Sequence, residues 1–144
     1  MGKLEIFVDG PIPPSSVAEL IASQASRKGV GGQSIFVGQI RDDDVDGKKV
    51  SAINYTCYES MAIDKIRSIQ ENVKEKYSLT CINVIHSRGK VPVGEVCIVV
   101  FTSAKRRKSA IAACEEALEQ IKSEVPIWGE EIFEDQSTKW KVNN

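Results

Sequence analysis

The stretch "LTCINVIHSRGKVPVGEVCIVVFTSA", residues 79–104, decides the fold. It holds two β-branched apolar runs, "CINVI" at 81–85 and "VCIVVF" at 96–101. The connection between them carries Gly89, Pro92 and Gly94. Runs of this kind, bounded by Gly and Pro, read as strands. No helical segment separates them, whereas two parallel neighbours need a long crossover, usually a helix. The stretch therefore speaks against a doubly wound parallel sheet.

The same order emerges on either side. "KLEIFVDG" (3–10) reads as a strand ended by Asp-Gly. "PIPPSS" (11–16) is a turn whose Ser15 or Ser16 can cap a helix through "VAELIASQAS". "VGGQSIFVGQIR" (30–41) and "VSAINYTCYE" (50–59) read as strands on either side of a polar loop, "DDDVDGKK" (42–49). "SMAIDKIRSIQENVKEKY" (60–77) places Met61, Ile66, Ile69 and Val73 near helical spacing, and "KRRKSAIAACEEALEQIKSEV" (105–125) is the clearest helix. The tail from Pro126 reads as irregular, with room for one short strand. The predicted order is β-α-β-β-α-β-β-α plus a tail, an α+β layered fold with a mixed or antiparallel sheet and packed helices. The chain is short enough for one domain over residues 1–144.

Composition excludes several function classes. Nineteen Lys and Arg nearly balance 20 Asp and Glu, so bulk charge calls for no nucleic acid. No apolar run reaches membrane-spanning length, and the N-terminus lacks a basic-then-apolar signal pattern. The four cysteines, Cys57, Cys81, Cys97 and Cys114, form no C-x-x-C pair, and His86 is the single histidine. A zinc site is not expected, and reduced thiols in a cytoplasmic protein are. "DDDVDG" (42–47) starts like a calcium loop, but the twelfth position, which needs a bidentate Glu, is Ile53. A solvated acidic hairpin is the expectation there. His86 reads as a neutral, hydrogen-bonded histidine at a strand end.

Two cation features remain. "KRRK" (105–108) opens a helix with four cations, against the helix dipole. It is either a basic surface patch or an anion site, where the ligand's charge meets side chains and free N–H groups together. Lys122 lies near the end of the same helix, before "VPIW" (125–128). With about 100° per residue, Ile111, Cys114, Leu118, Ile121 and Val125 make one apolar stripe, with Arg107 inside it and Lys122 at its border. Either both cations snorkel, or each projects into a polar pocket with apolar walls that exclude water. Arg107 and Lys122 lie about 22 Å apart along a helix, so they share one small-molecule site only if one comes from a second subunit.

Taken together, "FVGQIR" (36–41), "YESMA" (58–62), "VIHSRGKVPVGE" (84–95), "TSAKRRKSAIAAC" (102–114) and "LEQIKSEVPIWGEE" (118–131) resemble the large, catalytic subunit of molybdopterin synthase. The resemblance runs over nearly the whole chain, in order. It implies an α+β fold with a hammerhead-like subdomain and a sulfurtransferase that needs no metal or bound cofactor. Such enzymes convert cyclic pyranopterin monophosphate into molybdopterin by building its dithiolene. The sulfur arrives as a thiocarboxylate on the C-terminal tail of a small ubiquitin-like subunit. Two large subunits form a central homodimer with a small subunit at each end, a heterotetramer. By position, the resemblance implies catalytic roles for Lys122 and Arg41 and a pocket wall for Phe36. It implies substrate binding by Arg106 and Arg107, with Lys105 and Arg106 as the alternative pair. The lysine usual after P-[IF]-W is absent here, where Gly129 stands. Lys139 and Lys141, beside Trp140, are candidates to compensate, and Lys141 is taken as substrate-binding. The alternative is a non-catalytic homologue that keeps the partner groove but has lost turnover.

Overall fold

The computed structural model describes residues 5–142. Strands β1 (Phe7–Asp9), β2 (Gly32–Gln39), β3 (Asp44–Val45), β4 (Lys48–Cys57), β5 (Cys81–Pro92), β6 (Val96–Ala104), β7 (Ile127–Phe133) and β8 (Thr138–Trp140) form one sheet. Helices α1 (Pro14–Ser23), α2 (Glu59–Tyr77) and α3 (Arg107–Glu124) and a 3-10 turn (Gln24–Ser26) complete it. The main strand order is β2-β6-β5-β4-β7-β8. Neighbours along this path pair antiparallel, and β1 adds a parallel pairing to β5, Phe7 opposite His86. The α+β reading with a mixed sheet holds. No helix among the described residues is long and apolar enough to cross a membrane.

The deciding stretch behaves as its composition demands. β5 and β6 lie at the centre of the sheet and are packed on both faces, so the apolar run of β6 is continuous and that of β5 is interrupted only by Asn83. Val84, Ile98 and Val100 point into the larger core beneath α2 and α3. Ile85, Val99 and Phe101 point into a smaller core with Ile12 and Leu20, beneath α1. His86 does not end a strand, because β5 continues through it to Pro92.

Several expectations change. The strand read over 3–10 is β1 at Phe7–Asp9, and residues 3 and 4 of that reading lie outside the described residues. α1 begins at Pro14 with Pro13 at its N-cap and no side-chain cap bond, so neither Ser15 nor Ser16 caps it. Proline's fixed φ suits a first helical turn as well as a capping hydroxyl does. The acidic hairpin expected at 42–49 is present, β3 turning into β4 at Asp46 and Gly47, both with positive φ. The tail is not irregular: β7 pairs along β4 from Cys57↔Ile127 to Val50↔Phe133, and β8 folds back on β7.

The face of α3 is also rotated from the expected stripe. Its buried residues are Ala110, Ala113, Cys114, Ala117 and Ile121, while Ile111 is 56% exposed. In α2 the expected Ile66, Ile69 and Val73 are buried, and only at its start does Ala62 replace the exposed Met61 on the buried face. Small residues bury readily because they let the backbones approach closely. Thr102 Oγ1 donates to Ala110 O at 2.6 Å, and a Cβ at Gly32 would sit 3.1 Å from Arg107 Cα. A stripe drawn through the bulkiest side chains therefore missed the contact face. On the corrected face Lys122 lies well away from the core, and it is exposed.

Candidate functional site

Two grooves stand out. The larger, about 970 Å³, runs between α1, α2 and the early part of β5, and it holds none of the site residues expected from sequence. The second, about 560 Å³, opens where β2 ends, α3 ends and the β7–β8 hairpin folds over. Phe36, Arg41, Lys122 and Lys141, four residues singled out in the sequence, all line this second cleft.

Each arrives for a local reason. Phe36 is on β2, opposite Val100. Gly38 leaves it room, since a Cβ there would lie 2.6 Å from Ile98 Cγ2 and 3.2 Å from Phe36 Cε2. Arg41 follows the end of β2 and pairs with Asp43 at 3.2 Å, with most of its side chain in solvent. Lys122 comes from the last turn of α3, where a cation complements the helix dipole. Lys141 is held by its backbone N–H, which donates to Gly129 O at 2.8 Å and carries the β7–β8 pairing one residue further. Gly129, which lacks the lysine that the resemblance led one to expect, thus has a lysine directly across the hairpin.

Four cations line the cleft, Arg41, Lys122, Lys139 and Lys141, against two carboxylates, Asp43 and Glu131. Lys139 reaches Asp46 at 3.7 Å. The surplus of positive charge in a concave site attracts anions. The cleft is not the water-excluding pocket expected around Lys122: in the single chain that residue is exposed at the mouth.

Sequence reasoning missed three groups here. Glu131 is only 7% exposed, the one buried acid among the described residues. Alternation along β7 puts it on the face of Gly129, a signal hidden once the tail was taken as irregular. Tyr55 and Cys97 are the others. Burial, with the Cys97 thiol beside it, raises the Tyr55 phenol well above its usual range. Against Tyr55 stands the buried His86 ring, edge-on at 5.1 Å. Its Nδ1 donates to Ser87 O at 2.7 Å, the arrangement of a neutral ring. Burial above all pushes its pKa down to about 4, the bond to Ser87 opposes this, and the nearby charge of Lys122 adds to it.

Arg106 and Arg107 are not in the cleft. They lie at the opposite end of α3, exposed, with Arg106 at the N-cap and no acidic residue in the first turn. Lys105 and Lys108 are exposed beside them. The four form a second electropositive site, set by the close approach of Gly31 and Gly32 to Lys105 and Arg107.

Fold and cleft define an α+β domain with cations clustered at both ends of one helix. The "MoaE protein" family model matches residues 9–124, and the chain belongs to that family. It is 42% identical over 117 residues to a molybdopterin synthase catalytic subunit of Drosophila willistoni, covering 80% of this chain and 31% of that one. It is 34% identical to the Bos taurus protein of the same name, covering 95% and 70%. The chain thus spans about a third of the Drosophila relatives' length. The crystal structure of molybdopterin synthase from Staphylococcus aureus superposes with a TM-score of 0.82 at 30% identity, covering 94% of this chain and 95% of that one. A complex of subunits 1 and 2 of molybdopterin-converting factor from Helicobacter pylori 26695 gives 0.80 at 20%, covering 96% and 90%, a likeness of fold alone.

Proposed function

We propose that this chain is the catalytic subunit of a molybdopterin synthase. It takes sulfur from the C-terminal thiocarboxylate of a small ubiquitin-like partner and delivers it to cyclic pyranopterin monophosphate, building the dithiolene. The supporting observation is the convergence of Phe36, Arg41, Lys122 and Lys141 in one electropositive cleft. Both reactants are anions, and fixed cations offset their repulsion more effectively than reorganising water does. Lys122, on the last turn of a rigid helix, stabilises the tetrahedral oxyanion when the acyl–sulfur link breaks, or moves a proton. Arg41 anchors charge at the cleft's edge, Phe36 forms a wall, and Lys141 supplies the cation opposite Gly129.

Arg106 and Arg107 bind the substrate's phosphate through planar, paired hydrogen bonds. Lying about 22 Å from Lys122 along α3, they join its cleft from a second copy of the chain in a homodimer. One small partner at each end then completes a heterotetramer. Four free thiols, Cys57, Cys81, Cys97 and Cys114, fit a reducing cytoplasm.

The test is reconstitution with thiocarboxylated partner and cyclic pterin. Wild type is expected to form molybdopterin. Lys122→Ala is expected to lose product by at least about 100-fold with partner binding intact. Tight partner binding by the wild type without product would instead identify a non-catalytic homologue.

A further inference from the structure

Tyr55 of β4 also lines the cleft, and its ring is held between two neighbours. It stands opposite Gly129 in the β4–β7 ladder. A Cβ on residue 129 would lie 3.2 Å from Tyr55 Cε1 and 3.0 Å from Ile53 Cγ2. Contacts that short force a neighbour to move, so glycine at 129 lets the phenol ring sit where it does. On its other side the ring meets His86 edge-on, at 5.1 Å and 87°. Two walls hold it, and such second-layer support is what keeps a polar group aimed at a ligand.

The hydroxyl end lies beside the Cys97 thiol, which also lines the cleft. That thiol donates to Gly38 O at 3.5 Å, leaving the phenol a sulfur lone pair, a weak acceptor. Two of the cleft's charged donors already have carboxylate neighbours, Arg41 with Asp43 and Lys139 with Asp46. Tyr55 is therefore a rigid, neutral O–H with a poor acceptor in a cleft that collects anions. Because burial keeps the phenol protonated, it acts as a donor and not as a base.

We propose that Tyr55 is a catalytic residue whose hydroxyl hydrogen-bonds the carbonyl oxygen of the bound thiocarboxylate tail, and that Gly129 is the seat that positions its ring. This rests on the sulfur-transfer reading above. When water adds to the carbonyl carbon of the acyl–sulfur link between tail and pterin, that oxygen gains charge and the bond from Tyr55 strengthens; the C–S bond then breaks, leaving the sulfur on the pterin and a carboxylate on the tail, and the phenol keeps its proton throughout. Gly129 then marks a site rebuilt around an aromatic donor, with the ammonium moved across the hairpin to Lys141.

The test uses the full chain reconstituted with thiocarboxylated partner and cyclic pterin. Tyr55→Phe keeps the ring and deletes the donor. Its kcat is expected to fall about 100-fold, with KM for the partner, partner Kd and Tm close to wild type. Gly129→Ala deletes no polar group but displaces the ring, and kcat is expected to fall at least about tenfold. Wild-type kcat in Tyr55→Phe would overturn the proposal while leaving the sulfur-transfer reading intact. Wild-type kcat in Gly129→Ala would overturn the seating role. An inactive wild-type chain that binds partner tightly would overturn the sulfur-transfer reading, and this proposal with it.

Discussion

His86 gives a quantitative link between burial and pH. It is the only histidine in the chain, so no other imidazole contributes to a pH profile. In the folded protein its pKa drops from 6.5 to about 4, chiefly because burial disfavours the charged ring. The unfolded chain therefore binds the proton more tightly, and stability falls as pH drops from the unfolded value toward the folded one. At about pH 7.5 and above, where the ring is mostly uncharged in both states, the penalty is negligible. For these two pKa values the loss from about pH 7.5 to about pH 5.0 is roughly 2 kcal/mol, and it reaches roughly 3 kcal/mol below pH 4. Urea denaturation across that range measures it, with His86→Gln as the reference that removes the ring but keeps every carboxylate. Wild type should lose roughly 2 kcal/mol more than the variant over this interval. Should the variant prove too unstable, the His86 ring's NMR shift, unchanged down to about pH 5, reports the same depressed pKa. Parallel profiles for the two proteins, or a ring that titrates near pH 6.5, would refute the reasoning.

Neighbouring glycines should respond in opposite directions. A Cβ at Gly31 would lie 2.2 Å from Lys105 O, a backbone atom that cannot step aside, so Gly31→Ala should cost about 2–3 kcal/mol in chemical denaturation. A Cβ at Gly29 meets nothing within 4 Å, so Gly29→Ala should be neutral or stabilise by up to about 1 kcal/mol. Gln70 carries a buried Oε1 without a hydrogen-bond partner among the described residues, and its Nε2 reaches Ile82 O only at 3.5 Å. Gln70→Met should therefore leave Tm unchanged or raise it, and a clear loss of stability would show that the amide is better satisfied than its geometry indicates.

How far the sequence carried depended on whether side-chain size and burial agreed. β5 and β6 were legible because they run through the centre of the sheet, where β6 is buried at nearly every position and β5 buries Ile82, Val84 and Ile85 across its two faces. α2 was legible with its buried face, since Ile66, Ile69 and Val73 are all in the core, whereas α3 was legible as a helix but not in its orientation. In α3, alanines make the contact while Ile111 is left outside, and a pattern that weights bulk points the wrong way. The stripe put Lys122 at its border, with a snorkelling and a sheltered reading both open, and the structure leaves it exposed. The tail escaped because β7 starts with Ile127, Trp128 and Gly129, whose strand character comes from pairing with β4 rather than from propensity. With β7 went Glu131 and the seat of Tyr55. The cleft residues Phe36, Arg41, Lys122 and Lys141 were nameable from resemblance. Their meeting in one place depends on the parallel run of β2 and α3 and on the β7–β8 turn, which no local pattern specifies.

The central claim is that Lys122 of one chain and Arg107 of another serve the same reaction, and mixed dimers test it most directly. Chains carrying only Lys122→Ala are expected to be inactive as homodimers, as are chains carrying only Arg107→Ala. Unfolded and refolded together in equal amounts, they should recover about a quarter of wild-type sulfur transfer. Half of randomly assembled dimers are mixed, and each mixed dimer holds one intact site of two. No recovery, with mixed dimers demonstrably present, would place both cations in a single chain's site and contradict the account.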